Sequence, residues 1–297
     1  MQYVNISDTV RFSRIVQGFW RLTDWDMPAA EAAALIDGCL ERGVTTLDTA
    51  EIYGDGECEV QLGAALGQLK RRREDYQIVT KTGISKEVVD GETFGYYDTG
   101  YQRIIDSCKN SLRKLGCEYI DLYLIHREDP LIDHHQVAGA LKELKKQGCI
   151  REAGVSNFDP FKFTALNNLM DGTLRTNQIE WNPCCFEHFD SGMMDLLVEK
   201  QLHPMIWSPL AGGQLFVSDE PRYAKARRKI EQIAARHGVA ADTVVYAWLL
   251  AHPAGALPIS GSHKLERLDA AIAALDLELT RTEWYEIYVA SGQQVLR

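Results

Sequence analysis

Residues 119–156 read YIDLYLIHREDPLIDHHQVAGALKELKKQGCIREAGVS, and their periodicity changes twice. Residues 119–126 are almost continuously apolar, the pattern of a strand covered on both faces inside a parallel sheet. Val137, Ala140, Leu141 and Leu144 then recur at helical spacing, and Lys145 and Lys146 complement the helix dipole before a stop at Gly148. Residues 150–156 return to strand. Strand, crossover helix and strand make a βαβ unit, whose strands run parallel through a right-handed connection.

The same cycle recurs on both sides. Upstream, residues 3–14 alternate polar and apolar around Ser7-Asp8, which predicts a short hairpin. Residues 15–18 form a short strand. Pro28 opens a helix that is apolar at Ala32, Leu35, Ile36, Cys39 and Leu40 and stops at Gly43. Strands follow at 45–48 and 76–81, then a helix over 101–115 closed by Gly116. Downstream, strands are expected at 176–181, 204–208 and 256–260, with helical segments between them. Eight βα units in one chain point to an α/β fold, a closed (β/α)8 TIM barrel with a short N-terminal β-hairpin and extra helices. No linker divides the chain, so one barrel domain is expected over residues 1–297. A doubly wound open sheet is the alternative, but its G-x-G-x-x-G turn is absent.

Composition narrows the function. With 32 Lys+Arg against 42 Asp+Glu, the formal charge of −10 argues against nucleic acid or an anionic membrane as the main partner. The seven Cys include no C-x-x-C pair, so reduced thiols in the cytoplasm are expected. No basic-then-apolar leader opens the sequence, and its longest apolar run, 244–251, is far below membrane-span length. Neither a metal-ligand cluster nor a strong nucleophile stands out.

Barrel active sites sit at the C-terminal ends of the strands. Strand 2 ends in Asp48, with Tyr53 in the following loop, strand 3 in Lys81 and strand 4 in His126. Each alone has a plain structural explanation: a helix cap, a packed ring, a solvated charge, a satisfied histidine. Together they converge an acid, a phenol, an amine and an imidazole on one mouth. Lys81 beside a phenol favours phenolate, so a lowered Tyr53 pKa is expected. A phenol tuned this way suits a general acid that protonates a carbonyl oxygen as hydride arrives, with a neutral His126 orienting that oxygen. A cofactor must then carry the hydride.

These residues resemble the aldo-keto reductase superfamily over essentially the whole chain. The likeness is carried by Asp48-Thr49-Ala50-Glu51-Ile52-Tyr53-Gly54, Thr80-Lys81-Thr82-Gly83, Asp121-Leu122-Tyr123-Leu124-Ile125-His126, Gly154-Val155-Ser156-Asn157-Phe158 and Asn177-Gln178-Ile179-Glu180. Trp20-Arg21-Leu22, His126-Arg127 and Gly261-Ser262 are similar to a subgroup of bacterial oxidoreductases. The resemblance implies NADPH-dependent reduction of aldehydes or ketones, with Asp48, Tyr53, Lys81 and His126 as a catalytic tetrad. It implies that Ser156, Asn157 and Gln178 bind the nicotinamide carboxamide and that Trp207 stacks on the ring. Gly18 and the run Ser208, Leu210 and Gly212 would follow the cofactor, the latter along its pyrophosphate. Ser260, Gly261 and Ser262 would form a phosphate loop, with Lys264 or Arg267 on the 2′-phosphate of NADPH. Ile259 stands where many relatives carry Lys, and Asp269, Ala270 and Ala271 replace a Glu-Asn pair that often meets the adenine.

Trp20, Trp25, Phe94, Tyr96, Tyr97, Trp181 and Phe186 fall in expected mouth loops and suggest an aromatic wall for an apolar carbonyl compound. Trp20 and Arg127 are the substrate-binding candidates, Arg127 for an anionic group. A monomer is the family's usual state. Two other functions stay open: a non-catalytic NADPH-binding regulatory barrel subunit, and a lyase using Lys81 as a Schiff-base amine. An adjacent Asp48 opposes the lyase by keeping Lys81 charged.

Overall fold

A computed structural model of the chain describes residues 1–293; residues 294–297 of the expected domain lie outside the described part. Twelve strands are present among the described residues: β1 (Tyr3–Asn5), β2 (Arg11–Ser13), β3 (Val16–Gly18), β4 (Thr46–Asp48), β5 (Gln77–Thr82), β6 (Ile84–Val89), β7 (Glu92–Tyr97), β8 (Ile120–Ile125), β9 (Ile150–Ser156), β10 (Leu174–Glu180), β11 (Met205–Trp207) and β12 (Leu257–Ser260). Eight of them close a parallel barrel in the order β3-β4-β5-β8-β9-β10-β11-β12. All eight expected barrel strands are there, and so is the N-terminal hairpin β1–β2.

Side-chain alternation sorts each barrel strand into two jobs. In β8, Leu122 and Leu124 join the interior cluster, while Tyr123 and Ile125 pack outward with the helices. In β5, Val79 lies in the interior and Ile78 outside. The same parity carries Lys81 and His126 to the inner face at the strand ends. The N-terminal hairpin contributes Ile6, Val10 and Phe12 to the interior cluster, so apolar side chains fill the barrel below the polar mouth.

One element departs from the expected loops. Residues 84–97 form the antiparallel hairpin β6–β7, and it carries Phe94, Tyr96 and Tyr97. Its turn is Asp90-Gly91 with φ of 53° and 84°, the pair of positive angles that a two-residue hairpin turn demands. Val88-Val89-Asp90-Gly91-Glu92-Thr93 held that signal. All seven cysteines are unpaired.

Candidate active site

The centre of the mouth is a buried amine. Lys81 is 0% exposed and Asp48 4% exposed. The three Lys81 donors go to Asp48 Oδ1 at 2.7 Å, the Thr49 carbonyl at 2.7 Å and the Tyr53 hydroxyl at 3.2 Å. Asp48 Oδ2 accepts from Gln178 Nε2 at 2.7 Å. A carboxylate can only accept, so this contact also fixes which end of the Gln178 amide faces it. His126 is buried, and its ring meets that of Tyr53 edge-on at 5.6 Å. The four expected catalytic residues are therefore brought together around Lys81.

Tyr53 arrives on a tight loop rather than on a strand. Gly54, Asp55 and Gly56 all take positive φ. At Gly54 a Cβ would lie 2.6 Å from the Thr23 methyl, so a side chain there would push this loop off the β3–helix connection. A residue without a role in the sequence reading anchors the same loop. Glu51 accepts from Thr82 Oγ1, the Gly83 N–H and the paired nitrogens of Arg103 at 2.9 to 3.1 Å, and from Ser107 Oγ. One carboxylate thus ties the catalytic loop to β5 and to the helix Tyr101–Leu115. Its spacing two residues before Tyr53, with Arg103 at the helix start, was the available signal.

Electrostatics corrects one expectation. The Tyr53 pKa is raised, not lowered: burial outweighs the pull of Lys81, and Asp48 pushes in the same direction as burial. Lys81 is held above its ordinary value; desolvation opposes this, but Asp48 and Tyr53 win. His126 lies well below 6.5 through burial, then Lys81 and Arg127, so the imidazole is neutral, as expected. The site thus presents a protonated phenol, a charged amine and a neutral imidazole.

The cofactor candidates line the adjoining strand ends. Ser156 donates to the Gln178 carbonyl at 2.8 Å. Asn157 sits at φ 58° and accepts from Trp207 Nε1 at 2.9 Å. Gln178 Nε2 is engaged by Asp48, so the end of its amide available to a ligand is the oxygen. On either side of Leu210, the loop bends through Ser208 at φ 48°, Ala211 at 52°, Gly212 at 64° and Gly213 at 96°. Among the described residues, nothing beyond the adjoining residues lies within 4 Å of where a Cβ would stand on Gly212, Gly213 or Gly261. These open backbone cradles suit a phosphate chain. Gly18 has the opposite surroundings: a Cβ would meet Ile259 Cγ2 at 2.7 Å, so it serves close packing under the phosphate loop. Ser260 is buried at that loop's base, and Gln17 Nε2 holds the Ser262 carbonyl at 3.0 Å. The helix Leu265–Ala273 starts with Lys264 exposed at its cap. Arg267 is already engaged: it pairs with buried Asp242 at 2.8 Å. Asp269 pairs with Arg42.

Two of the seven residues expected in the aromatic wall turn into the core instead. Trp181 and Phe186 are buried; Trp181 packs 5.1 to 5.3 Å from Phe189, Trp248 and His252, and Phe186 packs against Tyr288. Trp20 is 57% exposed, 6.5 Å from the Tyr53 ring. Arg127 lies over Trp207, 5.5 Å from its centroid.

A parallel barrel with a buried lysine bonded to a carboxylate and a phenol at its mouth, and open glycine loops beside it, fits a class of cofactor-dependent oxidoreductases. The Aldo/keto reductase family model matches residues 14–290, and the chain belongs to that family. Oxidoreductase YdhF of Escherichia coli is 41% identical over 281 residues, 94% of each chain, which bears out the likeness to bacterial oxidoreductases. A 6-dehydroglucose reductase of Agrobacterium fabrum is 40% identical over 299 residues, 99% of this chain and 100% of its own. The solved aldo/keto reductase of Klebsiella pneumoniae, in complex with NADP and acetate, matches with a TM-score of 0.80 at 26% identity, covering 96% of this chain and 93% of its own.

Proposed function

We propose that the protein reduces aldehydes or ketones to alcohols with NADPH, using Tyr53 as the general acid. The observation that carries this is the Lys81 hub: a fully buried ammonium that bonds both a carboxylate and the one phenol at the barrel mouth's catalytic loop. Bound NADPH supplies a hydride to the carbonyl carbon. Ser156, Asn157 and Trp207 would hold its nicotinamide end, the 208–213 loop its pyrophosphate, and Ser262 with Lys264 its phosphorylated adenosine.

The chain's own residues handle the proton. Tyr53 gives its hydroxyl proton to the carbonyl oxygen as that oxygen gains charge. The phenolate left behind is stabilised by Lys81, 3.2 Å away, and is reprotonated from water. Asp48 keeps Lys81 charged and fixed, which removes its nucleophilic lone pair and disfavours Schiff-base chemistry. Neutral His126 offers an N–H to the carbonyl oxygen without adding a second positive charge beside Lys81. Seven unpaired thiols support a reducing, cytoplasmic setting.

The test is Tyr53→Phe. Carbonyl reduction, followed by nicotinamide absorbance, should fall by about 100-fold or more, the lower range for losing a general acid, while NADPH still binds. Full activity in this variant would remove Tyr53 from the role. NADPH binding with no turnover in the unaltered protein would favour the regulatory-subunit reading.

A further inference from the structure

Lys81 stands between two threonines, Thr80 and Thr82. Alternation along β5 turns Lys81 into the barrel and both threonines outward, toward the helices. Both are fully buried, and each meets a glutamate of the Tyr53 segment. Thr82 Oγ1 donates to Glu51, two residues before Tyr53, at 3.0 Å. Thr80 Oγ1 donates to Glu59, six residues after it, at 2.7 Å. The contact between Tyr53 and Lys81 is therefore bracketed by two threonine–glutamate bonds joining the same two stretches of chain.

The two glutamates differ in kind. Glu51 is paired with Arg103 at 3.0 Å, whereas Glu59 has no ion-pair partner within 4.0 Å among the described residues. Glu59 is fully buried in the first turn of the helix Glu57–Leu66. Among the described residues, its Oε2 has no hydrogen-bond partner, and neither has the hydroxyl of neighbouring Ser111. Burial pushes the Glu59 carboxyl above the usual carboxylate range, against the hydrogen bond from Thr80. A buried carboxyl with an unpaired oxygen costs stability, and an apolar side chain of that size would pack more cheaply. The helix is already braced on its other side. A Cβ on Gly63 would stand 2.1 Å from the Lys114 carbonyl, and Lys114 Nζ holds the Gly56 carbonyl at 2.9 Å. What Glu59 adds is a tie from the turn that follows the Tyr53 loop to β5 beside Lys81.

We propose that Glu59 and Thr80 are positioning residues for proton transfer: their bond, on the other side of Tyr53 from the Glu51–Thr82 bond, keeps the phenol 3.2 Å from Lys81. This rests on the reductase reading above. The Tyr53 loop carries Gly54 and Gly56, so its backbone alone leaves the ring free to drift, and two anchored ends remove that freedom. A misplacement of about 1 Å is enough to cost about 100-fold in rate.

The experiment removes both partners in Glu59→Met/Thr80→Val and keeps them in Glu59→Gln, whose amide can still accept from Thr80 and can donate to Ser111. Thermal melting, NADPH affinity, reduction of benzaldehyde and a crystal structure are measured for each. The apolar pair should melt near the unaltered protein and bind NADPH as tightly, because both polar partners leave together. Its kcat should fall by about 10- to 100-fold with little change in KM, and its Tyr53–Lys81 distance should open beyond about 3.5 Å. Glu59→Gln should retain most of the kcat and the short distance. An apolar pair that reduces benzaldehyde at full rate, or one slowed with the contact intact, would overturn the proposal. So would a loss of melting temperature and NADPH binding in step with activity, the mark of a structural role alone. Failure of the unaltered protein to reduce benzaldehyde would count against the reductase reading, and the distance in the crystal structure would still decide the positioning.

Discussion

Removing the charge of Asp48 should cost stability, and removing Lys81 as well should restore most of it without restoring activity. Lys81 is fully buried and its only carboxylate partner among the described residues is Asp48. In Asp48→Asn the ammonium keeps the Thr49 carbonyl and the Tyr53 hydroxyl but loses its counter-charge. Breaking a buried pair on one side costs about 3–5 kcal/mol. Unfolding entropy of about 2.1 cal/mol/K per residue gives about 0.6 kcal/mol per kelvin for a chain of this size. The Tm should therefore drop by about 5–8 °C. Lys81→Met should do similar damage, because it strands a carboxylate that keeps only Gln178.

In the double variant Asp48→Asn/Lys81→Met both charges of the pair are gone, the amide can still accept from Gln178, and methionine fills the space of the lysine stem. Replacing a buried pair by apolar groups is often close to neutral. The double variant should melt within about 3 °C of the unaltered protein, against a sum of single losses above about 10 °C. Reductase activity should stay at least about 100-fold down in all three, since the phenolate loses its neighbouring charge. Calorimetry and a carbonyl-reduction assay read both sides. Single losses that simply add in the double variant would refute the coupling, and an active double variant would show that the ammonium is not needed for proton transfer.

The pH profile follows from the shifted groups. Tyr53 keeps its proton to above its ordinary value of 10.0, and the protonated form is the active one. Reductive kcat should stay level through neutral pH and fall only as alkali titrates the phenol; a fall near neutrality would contradict the assignment. The buried His126 refuses a proton below 6.5 that the unfolded chain accepts. That part of the stability is present above 6.5 and is lost as pH falls, which acid melting curves would show. For the cofactor, Lys264→Ala should weaken NADPH by about 10- to 100-fold with little change for NADH. Arg267→Ala should discriminate less, because its guanidinium already serves Asp242. Equal losses for both cofactors in Lys264→Ala would show that the residue does not read the 2′-phosphate.

The barrel was legible because each strand encodes its own burial. An unbroken apolar run such as 119–126 has one physical use, and a helical stripe stopped by Gly148 leaves one way back to the sheet. The centre of the site was legible for the same reason. A polar residue closing such a run sits at the barrel mouth, so Asp48, Lys81 and His126 could be placed from their own strands. The hairpin β6–β7 was written locally too, in Asp90-Gly91, but its flanking residues lack the two-sided burial that marked the other strands.

The Tyr53 shift and the substrate walls are different in kind. Lys81 next to a phenol is a local fact, whereas the burial that outweighs it depends on elements drawn from the whole mouth. Trp20 and Trp181 each follow a barrel strand and look alike in sequence. One stays exposed above Tyr53, and the other turns inward because Trp248 and His252, more than sixty residues further along, offer it an aromatic nest. Nothing near Trp181 announces that nest, so its ring was assigned to the mouth. With Trp181 turned inward, Glu180 beside it lines the cleft next to Trp207. Which loop aromatics face the mouth is thus set by which of them find partners elsewhere in the fold.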